Sequence, residues 1–241
     1  MQGLGNDFIV IEGPDKPDTA DVVRLCHRRF GIGADGVLLV SSGPPVMMDY
    51  WNADGSPAEM CGNGLRCVAR YARDRGWAST PEFEVDTPIG LRKVRVGESL
   101  VEVEIGPVLI EGQETIGGEL YHLVDTGNPH AVRVVDDPDQ IDLLTVGPLV
   151  AREAGFDAGC NVEVMSVGED GVTMRVWERG IGETLACGTG MVAVAAVALD
   201  GNDGRIDVVT RGGTGQVEIE GKNAWLTGPV EYVFSGEVGQ A

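Results

Sequence analysis

A tryptophan, a cysteine and two glycines recur late in this 241-residue chain at the spacing they have early in it. Trp51, Cys61, Gly62 and Gly64 match Trp177, Cys187, Gly188 and Gly190 at one offset, 126 (177 − 51 and 187 − 61). At the same offset Asp35 falls on Asn161. Further matches follow in the same order: Gly5-Asn6 with Gly127-Asn128, Val85-Asp86-Thr87 with Val208-Val209-Thr210, and Gly106-Pro107-Val108 with Gly228-Pro229-Val230. Their offsets drift slightly, as loops of unequal length produce. Chance makes one C-G-x-G pair but not a collinear series, so the chain is read as two homologous halves. The N-terminal half spans 1–112 and carries Cys61, with a C-terminal tail at about 231–241 packing with it. The C-terminal half spans 118–230 and carries Cys187. Residues 110–118, rich in glycine and acid, read as the joint.

Within each half, short β-rich runs bounded by Gly or Pro surround one helix. The strands are expected at 8–11, 37–40, 82–85 and 100–105, then at 120–124, 162–167, 172–177, 216–220 and 224–227. The first helix is expected from about Asn63 to Arg75, stopping at Gly76, a C-cap glycine. The second, about Gly190 to Leu199, is apolar on every side and must be buried all round. The expected fold class is α+β: two pseudosymmetric halves, each a mixed or antiparallel barrel-like sheet wrapped around a central helix.

Composition removes several function classes. Apolar residues make up 43% of the chain, enough for a packed core, and no apolar run approaches the roughly 20 residues that span a bilayer. The first residues show no basic region followed by an apolar stretch, so a cytoplasmic location is expected. A net charge of −20 argues against nucleic-acid or anionic-membrane partners. Five cysteines, an odd number, argue against a disulfide framework. No C-x-x-C, H-E-x-x-H or Walker loop is present to suggest a zinc or phosphate site.

The repeated cysteines are the chemical signal. Each precedes a helix and is flanked by glycine. A helix start presents unpaired N–H groups and about half a positive charge, which favours a thiolate and binds a carboxylate. Glycine lets a ligand approach the backbone. Two such starts facing one another across the cleft between pseudosymmetric halves would hold one carboxylate between them, with a sulfur on each face of its α-carbon. Stereoinversion needs that pair: one thiolate to remove a proton and one thiol to return another. Cys26, Cys67 and Cys160 read instead as small core residues.

Beyond these features the chain resembles the diaminopimelate epimerase family over nearly its whole length. The resemblance rests on Gly3-Leu4-Gly5-Asn6-Asp7-Phe8, Gly31-Ile32-Gly33-Ala34-Asp35-Gly36 and Asn52-Ala53-Asp54-Gly55-Ser56. It continues through Met60-Cys61-Gly62-Asn63-Gly64-Leu65-Arg66-Cys67, Gly127-Asn128-Pro129-His130, Glu178-Arg179-Gly180 and Glu183-Thr184-Leu185-Ala186-Cys187-Gly188-Thr189-Gly190. It implies conversion of LL-2,6-diaminoheptanedioate to the meso isomer in lysine and peptidoglycan-precursor synthesis, by a homodimer without pyridoxal phosphate, other cofactor or metal. It implies that Cys61 and Cys187 are the acid/base pair and that Gly62, Asn63, Gly188 and Thr189 hold the reacting carboxylate. Asn6, Asn52, Asn128, Asn161, Glu178 and Arg179 would bind substrate, and His130 and Glu178 would tune the thiols. The chain departs from the family pattern at Ala34 and Gly36, on either side of Asp35, and at Phe234, where some members carry a tyrosine linked to dimerisation. Two competing readings are a proline-type racemase of the same fold and a non-catalytic ligand-binding or thiol redox-sensing protein.

Overall fold

The computed structural model describes residues 1–58, 61–169 and 171–239. Glu59 and Met60, the latter quoted above in the first cysteine motif, and the last two positions of the tail lie outside the described residues. The chain divides into two compact units, one of residues 1–101 with the C-terminal segment from Pro229, the other of Glu102–Gly228.

The first unit contains β1 (Gln2–Gly3), β2 (Asn6–Glu12), α1 (Thr19–Cys26), β3 (Gly36–Ser41), β4 (Val46–Asn52), α2 (Gly62–Asp74), β5 (Glu82–Thr87) and β6 (Gly90–Val96). These strands are neighbours in sequence order. Two of the pairings, β2 with β3 and β4 with β5, are parallel. A parallel pair needs a crossover connection, and α1 and α2 supply the two. Helix α2 packs on β1, β2, β3, β4 and β6, so the sheet wraps it. Nine of its residues are buried, among them Leu65, Cys67, Val68 and Ala69, all with no exposed surface. The C-terminal segment closes on β1 through a pair of backbone bonds, Gln2 N to Glu231 O at 2.9 Å and Glu231 N to Gln2 O at 3.0 Å.

The second unit repeats the plan. It contains β7 (Leu100–Pro107, which begins at the end of the first unit), β8 (Leu109–Ile116), β9 (Glu119–Asp125), β10 (Pro129–Val134), α3 (Leu143–Glu153), β11 (Asn161–Gly168) and β12 (Gly171–Glu178). Then come β13 (Gly182–Thr184), α4 (Gly188–Ala198), β14 (Gly204–Thr210), β15 (Gly213–Glu220) and β16 (Asn223–Pro229). The strand order is β7-β16-β15-β14-β12-β11-β10-β9-β8, with β13 on β12. Here β10/β11 and β12/β14 are the parallel pairs, crossed by α3 and α4. Helix α4 packs on seven strands, and its residues Met191 to Ala195 have no exposed surface, as an all-round apolar helix requires. The units match in detail: Val46 pairs with Val85 as Val172 pairs with Val208, and the Thr87 and Thr210 hydroxyls each donate to the carbonyl of a turn glycine, Gly90 and Gly213.

Three sequence expectations change. Residues 110–118 are not a linker. They form most of β8 and its turn into β9, where Gly117 (φ 61°) and Gly118 (φ 88°) take the two positive-φ positions of a two-residue hairpin. Each unit holds a second helix, started by an aspartate cap: Asp18 accepts from Asp21 N at 2.7 Å for α1, and Asp142 accepts from Thr145 Oγ1 at 2.7 Å for α3. Their buried faces include Val22 and Cys26, and Val150 followed by Ala154. Finally, the repeat slips by one residue at β11. Val37 pairs with Trp51 while Val162 pairs with Trp177, so Asn161 is the counterpart of Gly36 rather than Asp35. Gly36 is held to glycine by packing, because a Cβ there would lie 2.4 Å from the Trp51 carbonyl oxygen.

Among the described residues, no helix is long and apolar enough to cross a membrane. Since α2 is the post around which the first unit is built, Leu65→Ala should lower the unfolding free energy by about 2–5 kcal/mol. Urea titration followed by circular dichroism measures this, and a loss below about 0.5 kcal/mol, the scale of surface changes, would contradict the central placement of α2.

Candidate functional site

Each repeated cysteine is the N-cap of its unit's central helix. Cys61 leaves strand-like backbone (φ −146°, ψ 108°), and its Sγ accepts from Gly64 N at 3.4 Å. Cys187 does the same (φ −116°, ψ 119°), its Sγ accepting from Gly190 N at 3.4 Å. A sulfur capping a helix sits against the positive end of the dipole. Gly62 and Asn63 open α2, and Gly188 and Thr189 open α4; these N–H groups have no partner within their own helix. Gly190 is required: a Cβ there would lie 2.8 Å from Glu163 Oε1.

In the first unit the groups described around Cys61 are amides, with a cation behind them. The thiol is 3.5 Å from Asn6 Oδ1, which also accepts from Asn63 Nδ2 at 3.3 Å. Asn63 in turn accepts from the buried Arg66 Nη2 at 2.8 Å. Asn6 is fixed from behind, donating to Asp35 Oδ2 at 2.7 Å. Asp35 is held by Arg28 at 2.6 Å, and Arg28 also forks onto Asp7 at 2.8 and 2.9 Å. Burial pushes the Asp7 carboxyl up, but the Arg28 hydrogen bonds and charge outweigh it and hold the group below the usual carboxylate range. Asn52 is engaged elsewhere, donating to Ser56 Oγ at 3.0 Å across the turn after β4.

In the second unit the surroundings are acidic. Glu178, at the end of β12, accepts from the Thr184 hydroxyl and from the Cys187 thiol. Burial raises its carboxyl above the usual range, with the nearby Glu163 adding to the shift. Cys187 is buried, and burial followed by the charges of Glu178 and Glu163 pushes its thiol well above the ordinary value. The Thr189 hydroxyl is 3.4 Å from its sulfur. Below it, His130 is fully buried between Glu163 Oε1 at 2.7 Å from Nδ1 and Asn128 Oδ1 at 3.2 Å from Nε2. Asn161 Oδ1 accepts from Arg179 N at 2.9 Å. The exposed Arg179 guanidinium donates through Nη1 to the Ala158 and Gly159 carbonyls.

The structure therefore gathers Asn6, Gly62 and Asn63 about Cys61. It gathers Glu178, Gly188 and Thr189 about Cys187, with Glu163 nearby bonded to His130, which bonds Asn128 in turn. Sequence reasoning passed over Glu163, Arg66, Asp35 and Arg28. The first two had a signal: a charged residue inside an otherwise apolar buried run, Val162 to Met165 in β11 and Leu65 to Ala69 in α2. The other cysteines are core: Cys26, Cys67 and Cys160 are free and buried, and burial pushes their thiols to about 11, 12 and 12.

The acidic wall has a measurable consequence. The Cys187 thiol should titrate above the free-thiol value of about 8.5, read by NMR of isotope-labelled cysteine Cβ carbons. Glu178→Gln removes a negative neighbour and should bring the midpoint down. An unchanged midpoint in that variant would contradict the electrostatic account.

Comparisons with known proteins place the chain in a family. The family profile described as diaminopimelate epimerase matches residues 1–110 and 122–233. A diaminopimelate epimerase from Pelotomaculum thermopropionicum is 42% identical, over 98% of this chain and 96% of its own length. Another, from Desulfitobacterium hafniense, is 39% identical over 98% and 95%. A solved structure of a probable proline racemase from Agrobacterium radiobacter K84 superposes with a TM-score of 0.74 at 14% identity, covering 100% of this chain and 92% of its own, which speaks to the fold alone. With a profile spanning both halves and relatives matched over nearly their full length, the chain belongs to the diaminopimelate epimerase family.

Proposed function

We propose that this chain interconverts the LL and meso stereoisomers of 2,6-diaminoheptanedioate, in lysine and peptidoglycan-precursor biosynthesis, by proton transfer between two cysteine sulfurs and the substrate α-carbon. The observation that carries the reading is the pair of helix starts capped by Cys61 and Cys187, one in each repeat. The family membership supplies the substrate class.

The chemistry follows from the residues. One sulfur, as thiolate, takes the α-hydrogen: the C–H bond breaks and an S–H bond forms. The other, as thiol, gives its hydrogen to the opposite face and is left as thiolate. Running the reaction backwards exchanges the roles. Charge flows onto the α-carboxylate as the C–H bond breaks, and the N–H groups of Gly62, Asn63, Gly188 and Thr189 are the donors assigned to receive it. Such fixed donors are most effective where charge develops during the reaction. Asn6, Asn52, Asn128, Asn161, Glu178 and Arg179 are assigned to the substrate's polar groups. An asparagine both donates and accepts, which suits an ammonium and a carboxylate alike. The Arg179 fork suits a distal carboxylate. Glu178 and His130 are assigned to setting the state of Cys187, directly and through Glu163. The reading includes a cytoplasmic homodimer, which sedimentation analysis of the purified protein checks.

Cys61→Ala and Cys187→Ala should each abolish epimerisation while leaving the circular-dichroism spectrum and melting transition intact. Near-normal turnover in either variant would falsify the two-thiol reading. Against LL-diaminoheptanedioate and L-proline side by side, turnover of the first and none of the second is expected. The reverse would assign the fold to a proline-type racemase.

A further inference from the structure

Arg66 is a buried cation with no acid paired to it among the described residues. Its side chain lies on α2 with no exposed surface, and its Nε and Nη1 have no hydrogen-bond partner among the described residues. Nη2 makes the one bond described, 2.8 Å to Asn63 Oδ1. Gly3 leaves the room it occupies, since a Cβ there would lie 3.3 Å from Nη2. Burial lowers the guanidinium to about 10, still charged at neutral pH, and the ionisable groups beside it are the sulfurs of Cys67 and Cys61. Keeping an unpaired guanidinium in the interior is costly. At the equivalent place in the second repeat stands Val192, with the carboxylates of Glu178 and Glu163 beside that unit's cysteine instead.

We infer that Arg66 is a positioning residue for Cys61: its uncompensated buried charge is balanced by a thiolate at Cys61, and through Asn63 and Asn6 it holds that sulfur at the start of α2. The inference rests on the proposed function for its purpose, though not for its measurement. In the neutral form the Cys61 thiol donates to Asn6 Oδ1; as a thiolate it keeps the Gly64 N–H and gains the field of Arg66. Asp35 lies behind Asn6, tied to Arg28 along with Asp7, and the buried Met1 ammonium bonds the Phe8 carbonyl at 2.9 Å. Cys67, pushed to about 12 by burial, stays a thiol. The two repeats thus bias their cysteines oppositely, a cation beside Cys61 and acids beside Cys187, which stores one thiolate and one thiol before substrate arrives.

The test is an NMR titration of labelled cysteine Cβ carbons in the intact protein, as wild type, Arg66→Met and Arg66→Lys, together with the pH dependence of turnover. Wild-type Cys61 should titrate below Cys187. Arg66→Met should raise the Cys61 midpoint by about one pH unit or more, the effect of a nearby opposite charge, and leave Cys187 unmoved. Arg66→Lys should restore most of the difference. The acid limb of turnover should move up in parallel, with about a tenfold loss at pH 7 for each unit and recovery at higher pH. A merely structural arginine would lower the melting temperature without moving either curve. An unchanged Cys61 midpoint in folded Arg66→Met would overturn the inference. Should that variant not fold, a wild-type Cys61 titrating no lower than Cys187 would overturn it as well. If the wild type fails to turn over diaminoheptanedioate while the Cys61 midpoint still follows residue 66, the function is wrong and the inference about Arg66 stands.

Discussion

A cysteine sulfur accepting the N–H of the third residue of a helix, once in each repeat, is the contact on which this molecule's chemistry depends. It is a poor choice for stability. Serine, threonine, aspartate and asparagine cap helices better, and each helix then opens with a glycine at its first and third positions, where an interior glycine costs about 1 kcal/mol relative to alanine. Both helices make up the deficit through burial: α2 and α4 are each wrapped by their own sheet. The topology places them there. Since β4/β5 and β12/β14 pair in parallel, the chain must cross over between them, and the crossover helix begins near the end of the strand that holds Trp51 or Trp177. Helix N-termini at that position are natural anion sites. Local rules broken at a site and compensated elsewhere are a mark of function.

Duplication supplies the two caps, and divergence makes them different. Among the described residues, the neighbours of Cys61 are amides, with a buried arginine behind them. Around Cys187 they are a half-buried glutamate, a buried histidine and a second, fully buried glutamate. Identical sites would leave both thiols in the same protonation state, which is useless for inverting a stereocentre. The repeats therefore keep the geometry and differ in charge.

Much of this was legible before any coordinates, for physical reasons. The Trp-Cys-Gly pattern could not survive twice at one spacing without a shared local structure, and it located both helix starts to within about two residues, the usual uncertainty of such boundaries. Gly76, at φ 72° after the Arg75 cap, ended α2 where expected. What escaped was whatever lacked a period or looked like something else. Helices α1 and α3 are short and only partly apolar. Pro148 inside α3 obscured it further. The Gly117-Gly118 turn resembled a linker because a hairpin turn and a flexible joint use the same residues. The roles of Arg66 and Glu163 depend on partners distant in sequence or one helical turn away, and only the surrounding apolar residues hinted that they were buried.

The central claim, that two different groups exchange the α-hydrogen, is tested most directly by running the reaction from each pure stereoisomer in deuterium oxide and analysing the first few per cent of turnover. The account predicts that, in both directions, product carries one solvent deuterium at the inverted carbon from the outset while recovered substrate carries none. Product that retains the substrate's own hydrogen there would mean a single base returning what it took, and would contradict the account.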